Sequence, residues 1–297
     1  MSGKWALVAE TRGVLRAGGG DLRGFLQGIV SNDVEKVTAE RAIWSAFLTP
    51  QGKFLHEFFI AAQDDDFLLD CEAERLGDLK RRLSIYKLRS QVTLEDSSAA
   101  YAVVLFFGEE ALSALGLPAE TGAARPLAAG SVFVDPRLAA LGARAILPRG
   151  AVEGTITELG FAVASLGDYD RQRMALGVPE GSRDLEVERS ILLENGFEEL
   201  HGVDWDKGCF MGQELTARTK YRALIKKRLM PVEIEGPTPA PGTPILADGK
   251  EAGIMRSGAE GLGLALMRLE YLEKVGESGF VAGEAKLKPR KPDWAEF

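Results

Sequence analysis

The sequence predicts an α+β fold, and three observations predict it. Short apolar strands alternate with amphipathic helical stretches through the first 150 residues. A run from Asp168 to Gly177 carries helix start and stop residues. After about Lys226 the texture changes to short apolar pieces broken by Pro and Gly.

In chain order, Asp21 stands as N-cap to a short helix over Leu22–Gly28, with Phe25 and Leu26 on its apolar face and Gly28 as its stop. Phe54–Ile60 and Phe67–Asp70 read as strands, joined by a hairpin through the polar stretch Gln63–Asp66. Leu76, Leu79 and Leu83 recur at helical spacing among Arg and Lys, so Glu72–Tyr86 is expected to be an amphipathic helix. Val92–Glu95 and Ala102–Phe106 return to strand, and Pro118–Gly130, rich in Ala, Gly and Pro, reads as a loop. Val132–Val134 and Ala143–Leu147 are strand-like, and Asp168–Gly177 is a helix with Asp168 at its cap. Val232–Gly236, Ile245–Ala247, Gly253–Met255 and Leu262–Leu266 suggest a small β-barrel or sandwich, with the boundary near Lys226.

Composition narrows the function. With 36 Lys+Arg against 44 Asp+Glu the formal net charge is −8, so the 297-residue chain as a whole repels phosphate backbones and anionic lipid surfaces. Stable nucleic-acid binding is not expected, and no RRM, KH or zinc-knuckle signature accompanies the basic residues. The longest apolar run, Ala99–Phe107, falls far short of the roughly 20 residues that span a bilayer, so no transmembrane helix and no membrane partner is expected. Met1–Arg16 lacks the apolar core of a secretory signal, and the expectation is a cytosolic protein. Cys71, Cys209, His56 and His201 are the whole inventory of soft metal ligands, without a CxxC or HExxH pattern. No resident metal site is expected, a four-cysteine iron–sulfur cluster cannot be built from one copy, and the thiols are expected to be free.

The chemistry concentrates in Asp206–Arg222, DKGCFMGQELTARTKYR. Gly208 and Gly212 bracket Cys209 and permit a tight turn and close approach of a ligand to backbone. Gln213–Tyr221 is made of good helix formers, which puts Cys209 at or just before a helix N-terminus, where exposed N–H groups and the nearby Lys207 would stabilise a thiolate. The competing reading is a small buried hydrophobe, the commonest fate of a free cysteine. Arg218, Lys220, Arg222, Lys226, Lys227 and Arg228 form a basic cluster without an acidic residue, suited to a carboxylate or phosphate or else a solvated face. His56 and Glu57 are adjacent in a strand, so they point to opposite faces and one of them is expected to be exposed. Tyr169, Arg171 and Arg173 either line a cleft or face solvent, with Arg173 the more suggestive for its apolar neighbourhood.

KGCFMGQE (Lys207–Glu214) followed by ARTKYR (Ala217–Arg222) resembles the signature of the YgfZ family, folate-binding relatives of the glycine-cleavage T-protein, an aminomethyltransferase. GDLRGFLQGIVSNDV (Gly20–Val34), FLTPQGKFLHEF (Phe47–Phe58), DRQRMALGVP (Asp170–Pro179) and Gly253–Leu269 resemble further stretches of the same family, so the likeness covers nearly the whole chain. Phe210 stands where the family usually has tyrosine.

The resemblance implies two α+β units, the first discontinuous, within residues 1–225, and a carboxyl-terminal β-barrel over 226–297, arranged around a central channel that takes tetrahydrofolate. It implies Cys209 as the working nucleophile or transient ligand with Lys207 tuning it. Folate would be held by Asn32 and Asp33 at the pterin, by Arg218, Lys220 or Arg222 at the anionic tail, and by Arg173, Gly208, Gln213 and Glu214. The helix glutamate of the transferase is absent from Arg173-Met174-Ala175, which weighs against aminomethyl transfer, whereas Cys209 belongs to the YgfZ pattern. The function so implied is a tetrahydrofolate-binding accessory protein for assembly or repair of iron–sulfur enzymes, partnered by assembly or client proteins and acting indirectly on tRNA modification. The rivals are a folate-dependent aminomethyl- or one-carbon transferase and a folate-sensing module.

Overall fold

The computed structural model describes residues 3–222, 225–272 and 279–297. They form two compact units, one of Met1–Leu48, Leu55–Tyr169 and His201–Met211, the other of Thr49–Phe54, Asp170–Leu200 and Gly212–Phe297.

The first part of the chain supplies β1 (Trp5–Val8), β2 (Arg12–Gly18), α1 (Leu22–Gln27), β3 (Ile43–Leu48), β4 (Phe54–Gln63), β5 (Asp66–Glu72), α2 (Leu76–Tyr86), β6 (Thr93–Asp96) and β7 (Tyr101–Phe107). It continues with α3 (Ala111–Ala114), β8 (Ala124–Leu127), β9 (Gly130–Val134), β10 (Ala143–Pro148), α4 (Val152–Glu158), β11 (Ala162–Val163) and α5 (Leu166–Ala175). Two sheets result, a five-stranded one ordered β3-β4-β5-β2-β6 and a six-stranded one ordered β11-β1-β7-β10-β9-β8. In the second sheet β1 and β11 run parallel, whereas β7, β10, β9 and β8 pair antiparallel. Val104, Phe106, Val132, Val134 and Ala145 pack with Leu115, Ile156 and Phe161 into one apolar core.

A buried ionic cluster joins the two sheets. Asp70 on β5 takes Arg12 Nε on one oxygen at 2.5 Å and Arg144 Nε and Nη2 on the other at 2.9 and 2.7 Å. Arg12 also reaches Glu57 at 2.6 Å, and Arg137 binds Asp135 at 2.8 Å through Nη2. All three guanidinium groups lie within 5.5 Å of the Phe59 ring centroid, Arg144 at 3.9 Å. Three arginines against three carboxylates leave the buried set neutral, as a charge cluster removed from water must be to persist. His56 and Glu57 are therefore both buried, and neither is the exposed residue that strand alternation suggested. The sheet is covered on both faces: His56 Nε2 meets Asp78 of α2 at 3.0 Å, and on the side of Glu57, which accepts Trp44 Nε1–H at 2.6 Å, Arg144 of the second sheet lies 3.9 Å over Phe59.

The second unit holds α6 (Gly181–Asp184), α7 (Gln213–Tyr221), β12 (Lys227–Glu235), β13 (Pro244–Ala247), β14 (Lys250–Ala259), β15 (Leu262–Arg268), α8 (Leu269–Leu272), β16 (Phe280–Ala282) and β17 (Ala285–Pro289). Its six strands close in the order β12-β15-β14-β13-β16-β17, which confirms a barrel over a sandwich and leaves no sheet edge unpaired. Met230, Val232, Ile245, Met255, Met267 and Leu287 fill it.

Candidate functional site

Residues 201–211 run over the end of α1 and are tied to it residue by residue. α1 leaves carbonyl groups without a helical partner at its C-terminus. The Lys207 ammonium donates to the carbonyls of Gln27 at 2.5 Å and Val30 at 2.7 Å, and Met211 N–H donates to Gly28 O at 3.1 Å. Upstream, Ser31 Oγ donates to Gly202 O at 2.6 Å, Asp204 N–H donates to Ser31 O at 3.0 Å, and Lys36 pairs with Asp204. Burial pulls the Lys207 ammonium down to about 8, against the opposing pull of Asp33 and Asp204. Phe210 is buried beside it, with its ring centroid 5.1 Å from the Lys207 nitrogen.

Cys209 sits between these anchors and is exposed. Gly208, at φ +89°, turns the chain through a left-handed conformation that a side chain would strain. The result is an accessible thiol on a backbone fastened on both sides. Cys209 stands just before a helix, as the sequence led one to expect: α7 begins four residues later, after Gly212 at φ +80°. The two carbonyls that Lys207 serves make it the fastener of this loop to α1, a role the spacing alone did not indicate. Cys71 is the opposite case, 1% exposed on β5, with burial pushing its thiol far up.

A cavity of about 210 Å³ adjoins the same loop, lined among others by Asn32, Lys36, Arg41, Trp44, His201 and Asp204. His201 holds φ +59°, uncommon for a residue with a Cβ, and burial together with the Arg41 charge keeps its imidazole below the ordinary histidine value. Asn32 is largely committed to the protein: its Nδ2 donates to Trp44 O and His201 O, each at 2.7 Å, and its Oδ1 accepts Asp33 N–H. Asp33 caps the following turn through Glu35 N–H and accepts Gln27 Nε2.

In the second unit, α7 carries Glu214 and Arg218 exposed and Arg222 follows it, exposed at the C-cap, and among the described residues no ion pair engages these arginines. Gln213 is half-buried, and Lys220 is paired with Glu198. The turn at Gly52, at φ +79°, lies close against the start of this helix, where an added Cβ would lie 2.6 Å from both Gly212 O and Leu215 Cβ. Arg173, expected at the folate, is engaged within the protein. It is fully buried, its Nε meets Asp170 at 2.8 Å and Glu180 at 3.2 Å, Nη1 binds Asp184 at 2.6 Å and Val178 O at 3.1 Å, and Nη2 faces Ser257 Oγ at 3.1 Å. Its apolar sequence neighbourhood signalled this ionic cage and not a cleft.

Against tetrahydrofolate the expected residues thus divide. Arg173 is closed off and Asn32 and Asp33 already bond within the chain, whereas the cavity that Trp44 adjoins is lined by the polar groups of Lys36, Arg41, His201 and Asp204. Lys36, Arg41, Trp44 and Asp204 of that cavity were not singled out from the sequence. They come from separate stretches with no shared motif.

The family of the CAF17 carboxyl-terminal β-barrel domain matches residues 226–297. The iron-sulfur cluster assembly factor IBA57, mitochondrial, of Mus musculus is 33% identical over 320 residues, covering 96% of this chain and 84% of the relative. Its Homo sapiens counterpart is also 33% identical, covering 98% and 85%, and a homologue from Mycosarcoma maydis is 32% identical, covering 93% and 77%. The crystal structure of the glycine cleavage system aminomethyltransferase T from Bartonella henselae superposes with a TM-score of 0.78 over 99% of this chain and 87% of that one, at 12% identity. At that identity the likeness establishes a T-protein-like fold and nothing of the activity. The cytosolic expectation is overturned, since all three relatives are named as mitochondrial proteins.

Proposed function

The chain belongs to the family of the iron–sulfur cluster assembly factor IBA57, and from that premise we propose that it assists iron–sulfur cluster assembly or repair with Cys209 as its working thiolate. The observation that carries the reading is the contrast between the two cysteines: Cys209 is exposed on a loop pinned at Lys207 and Phe210, while Cys71 is sealed. Among the described residues no group of three or more His, Cys, Asp and Glu side chains is placed to hold a metal ion. One accessible thiolate supplies one ligand, so a cluster handled here is cargo whose other ligands come from an assembly or client protein. The motif Lys207–Glu214 supports the narrower assignment to the YgfZ branch, and an effect on tRNA modification would then follow indirectly, through iron–sulfur enzymes that modify tRNA.

Tetrahydrofolate enters this proposal as a ligand of the cavity beside Trp44. At about 210 Å³ the cavity is smaller than the roughly 300–1,000 Å³ typical of drug-sized sites, so it takes the pterin ring and not the whole molecule. Aminomethyl transfer is not favoured, because the relatives are assembly factors by name and the likeness to the transferase is one of fold. The test is complementation of cells lacking the protein. Cys209→Ala is expected to leave client iron–sulfur enzymes inactive and Cys71→Ala to restore them, and equal rescue by both would end the assignment. Calorimetry separates the folate limb: binding weakened by Arg41→Ala supports it, and no heat from the wild-type protein removes folate while leaving Cys209 untouched.

A further inference from the structure

On the barrel of the second unit lies a cavity of about 220 Å³, remote in function from Cys209 and unused by the reading above. Strand alternation builds its floor. Met255 and Met267 point into the barrel core, so Ile254 and Arg256 on β14 and Leu266 and Arg268 on β15 lie on the opposite face, with Ile254 and Leu266 directly paired. Gly253 permits this strand contact, since a Cβ there would lie 2.7 Å from Met267 Sδ and 2.8 Å from Leu266 O. Glu186, Arg189, Ser190 and Glu194 form the wall opposite, and Lys227 opens β12 beside them.

The polar groups around this space are incompletely used. Arg268 pairs with Glu251 at 3.2 Å and Arg256 approaches Glu186 at 3.6 Å, in both cases through Nη2. The Nε–H groups of Arg256 and Arg268 are buried and meet no acceptor. A buried donor left so carries the full cost of its desolvation. Glu194 accepts no hydrogen bond and joins no ion pair among the described residues, and burial raises its carboxyl above the usual range despite Lys227, Lys53 and Arg228. Two arginines with an unused buried donor each, and a half-buried carboxyl group that no partner engages among the described residues, thus line a single cavity.

We propose that this cavity binds a small α-amino acid, its carboxylate received by Arg256 and Arg268 and its ammonium by Glu194. The rim argues for a zwitterion over a phosphate. Arg189, Lys227, Arg256 and Arg268 are countered by Glu186, Glu194 and Glu251, so a dianion meets three carboxylates, whereas a molecule carrying both charges meets a complement for each. The volume accommodates several groups the size of a water molecule, each of which takes about 30 Å³ in the liquid, so the side chain is short.

The test is titration calorimetry of the full chain with glycine, L-alanine and L-serine, against acetate, ethylammonium and inorganic phosphate. At least one amino acid is expected to bind about tenfold or more tighter than acetate or ethylammonium, and Glu194→Gln and Arg268→Gln are each expected to weaken it about tenfold or more. Both substituted side chains lie at the cavity rim, and unchanged thermal unfolding of either variant ties a loss to the site. Cys209→Ala is expected to bind as the wild type does, which separates this site from the cluster reading. No amino acid binding, phosphate binding as tightly as the amino acid, or indifference to Glu194→Gln would each overturn the proposal.

Discussion

Asp70→Asn isolates the buried charge cluster, because it keeps the side-chain volume and removes one charge. Asp70 is 0% exposed and its carboxylate receives Arg12 at 2.5 Å and Arg144 at 2.9 and 2.7 Å. An amide in its place turns a neutral set of three arginines and three carboxylates into a buried cation, and its NH₂ cannot accept from a guanidinium. Breaking a buried pair in this way costs about 3–5 kcal/mol, a large share of the roughly 5–15 kcal/mol that holds a domain together. Asp66→Asn is the matched control. It removes the Arg16 partner at 2.7 Å, a pair with side chains 42% and 25% exposed, where about 0–1 kcal/mol is expected. Urea unfolding followed by tryptophan fluorescence reads both, with Trp44 reporting from beside Glu57. At a slope of about 1–3 kcal/mol per molar urea, Asp70→Asn lowers the midpoint by about 1 M or more and Asp66→Asn leaves it nearly in place. Equal midpoints for the two variants would refute the argument that the cluster is a desolvated, charge-balanced unit.

Three further outcomes follow from the same geometry. Burial and the Arg75 charge hold His56 down to about 4, against an ordinary 6.5 and despite Asp78. The unfolded chain therefore binds more protons between those values, and stability, fully present above about pH 6.5, falls by up to about 3 kcal/mol as pH drops towards 4. In His56→Gln that part of the acid sensitivity disappears, and an unaltered pH dependence of the variant would contradict it. Iodoacetamide labels Cys209 in the native protein and Cys71 only on unfolding, and mass spectrometry showing comparable native rates at the two would contradict the contrast between them. Gly52→Ala forces a Cβ to φ +79° and to 2.6 Å from Gly212 O, costing about 2 kcal/mol or more in thermal unfolding, and a change below about 0.5 kcal/mol would show that the turn yields freely.

What the sequence disclosed follows the range of the interactions concerned. Helix α7 was legible at Gln213–Tyr221 because helix formers begin directly after Gly212, and the barrel strands were legible in part from their Pro- and Gly-punctuated apolar pieces. Asp168 was misplaced as a cap by three residues. Ser165 is the cap, and the two form a reciprocal pair in which Ser165 N–H donates to Asp168 at 2.9 Å and Asp168 N–H donates to Ser165 Oγ at 3.3 Å, a Ser-x-x-acid pattern visible in the chain. Asp21 holds the expected N-cap position of α1, but its side chain does not cap the helix; its carboxylate accepts Gln91 N–H, seventy positions away. The expected loop Pro118–Gly130 hides strand β8, whose partner β9 overrides the weak local preference of Ala124–Leu127. In the site, the loop that exposes Cys209 was readable because Lys207, Gly208 and Cys209 are consecutive. The cage around Arg173 and the cavity beside Trp44 were not, since both are assembled from residues far apart in the chain.

The central claim is tested most directly by the rate at which an iron–sulfur cluster passes from a loaded assembly protein to an apo client enzyme under anaerobic conditions, with this protein added. Wild type and Cys71→Ala are expected to accelerate client activation alike, and Cys209→Ala to give the rate seen with no addition. Acceleration by Cys209→Ala equal to that by wild type would contradict the account.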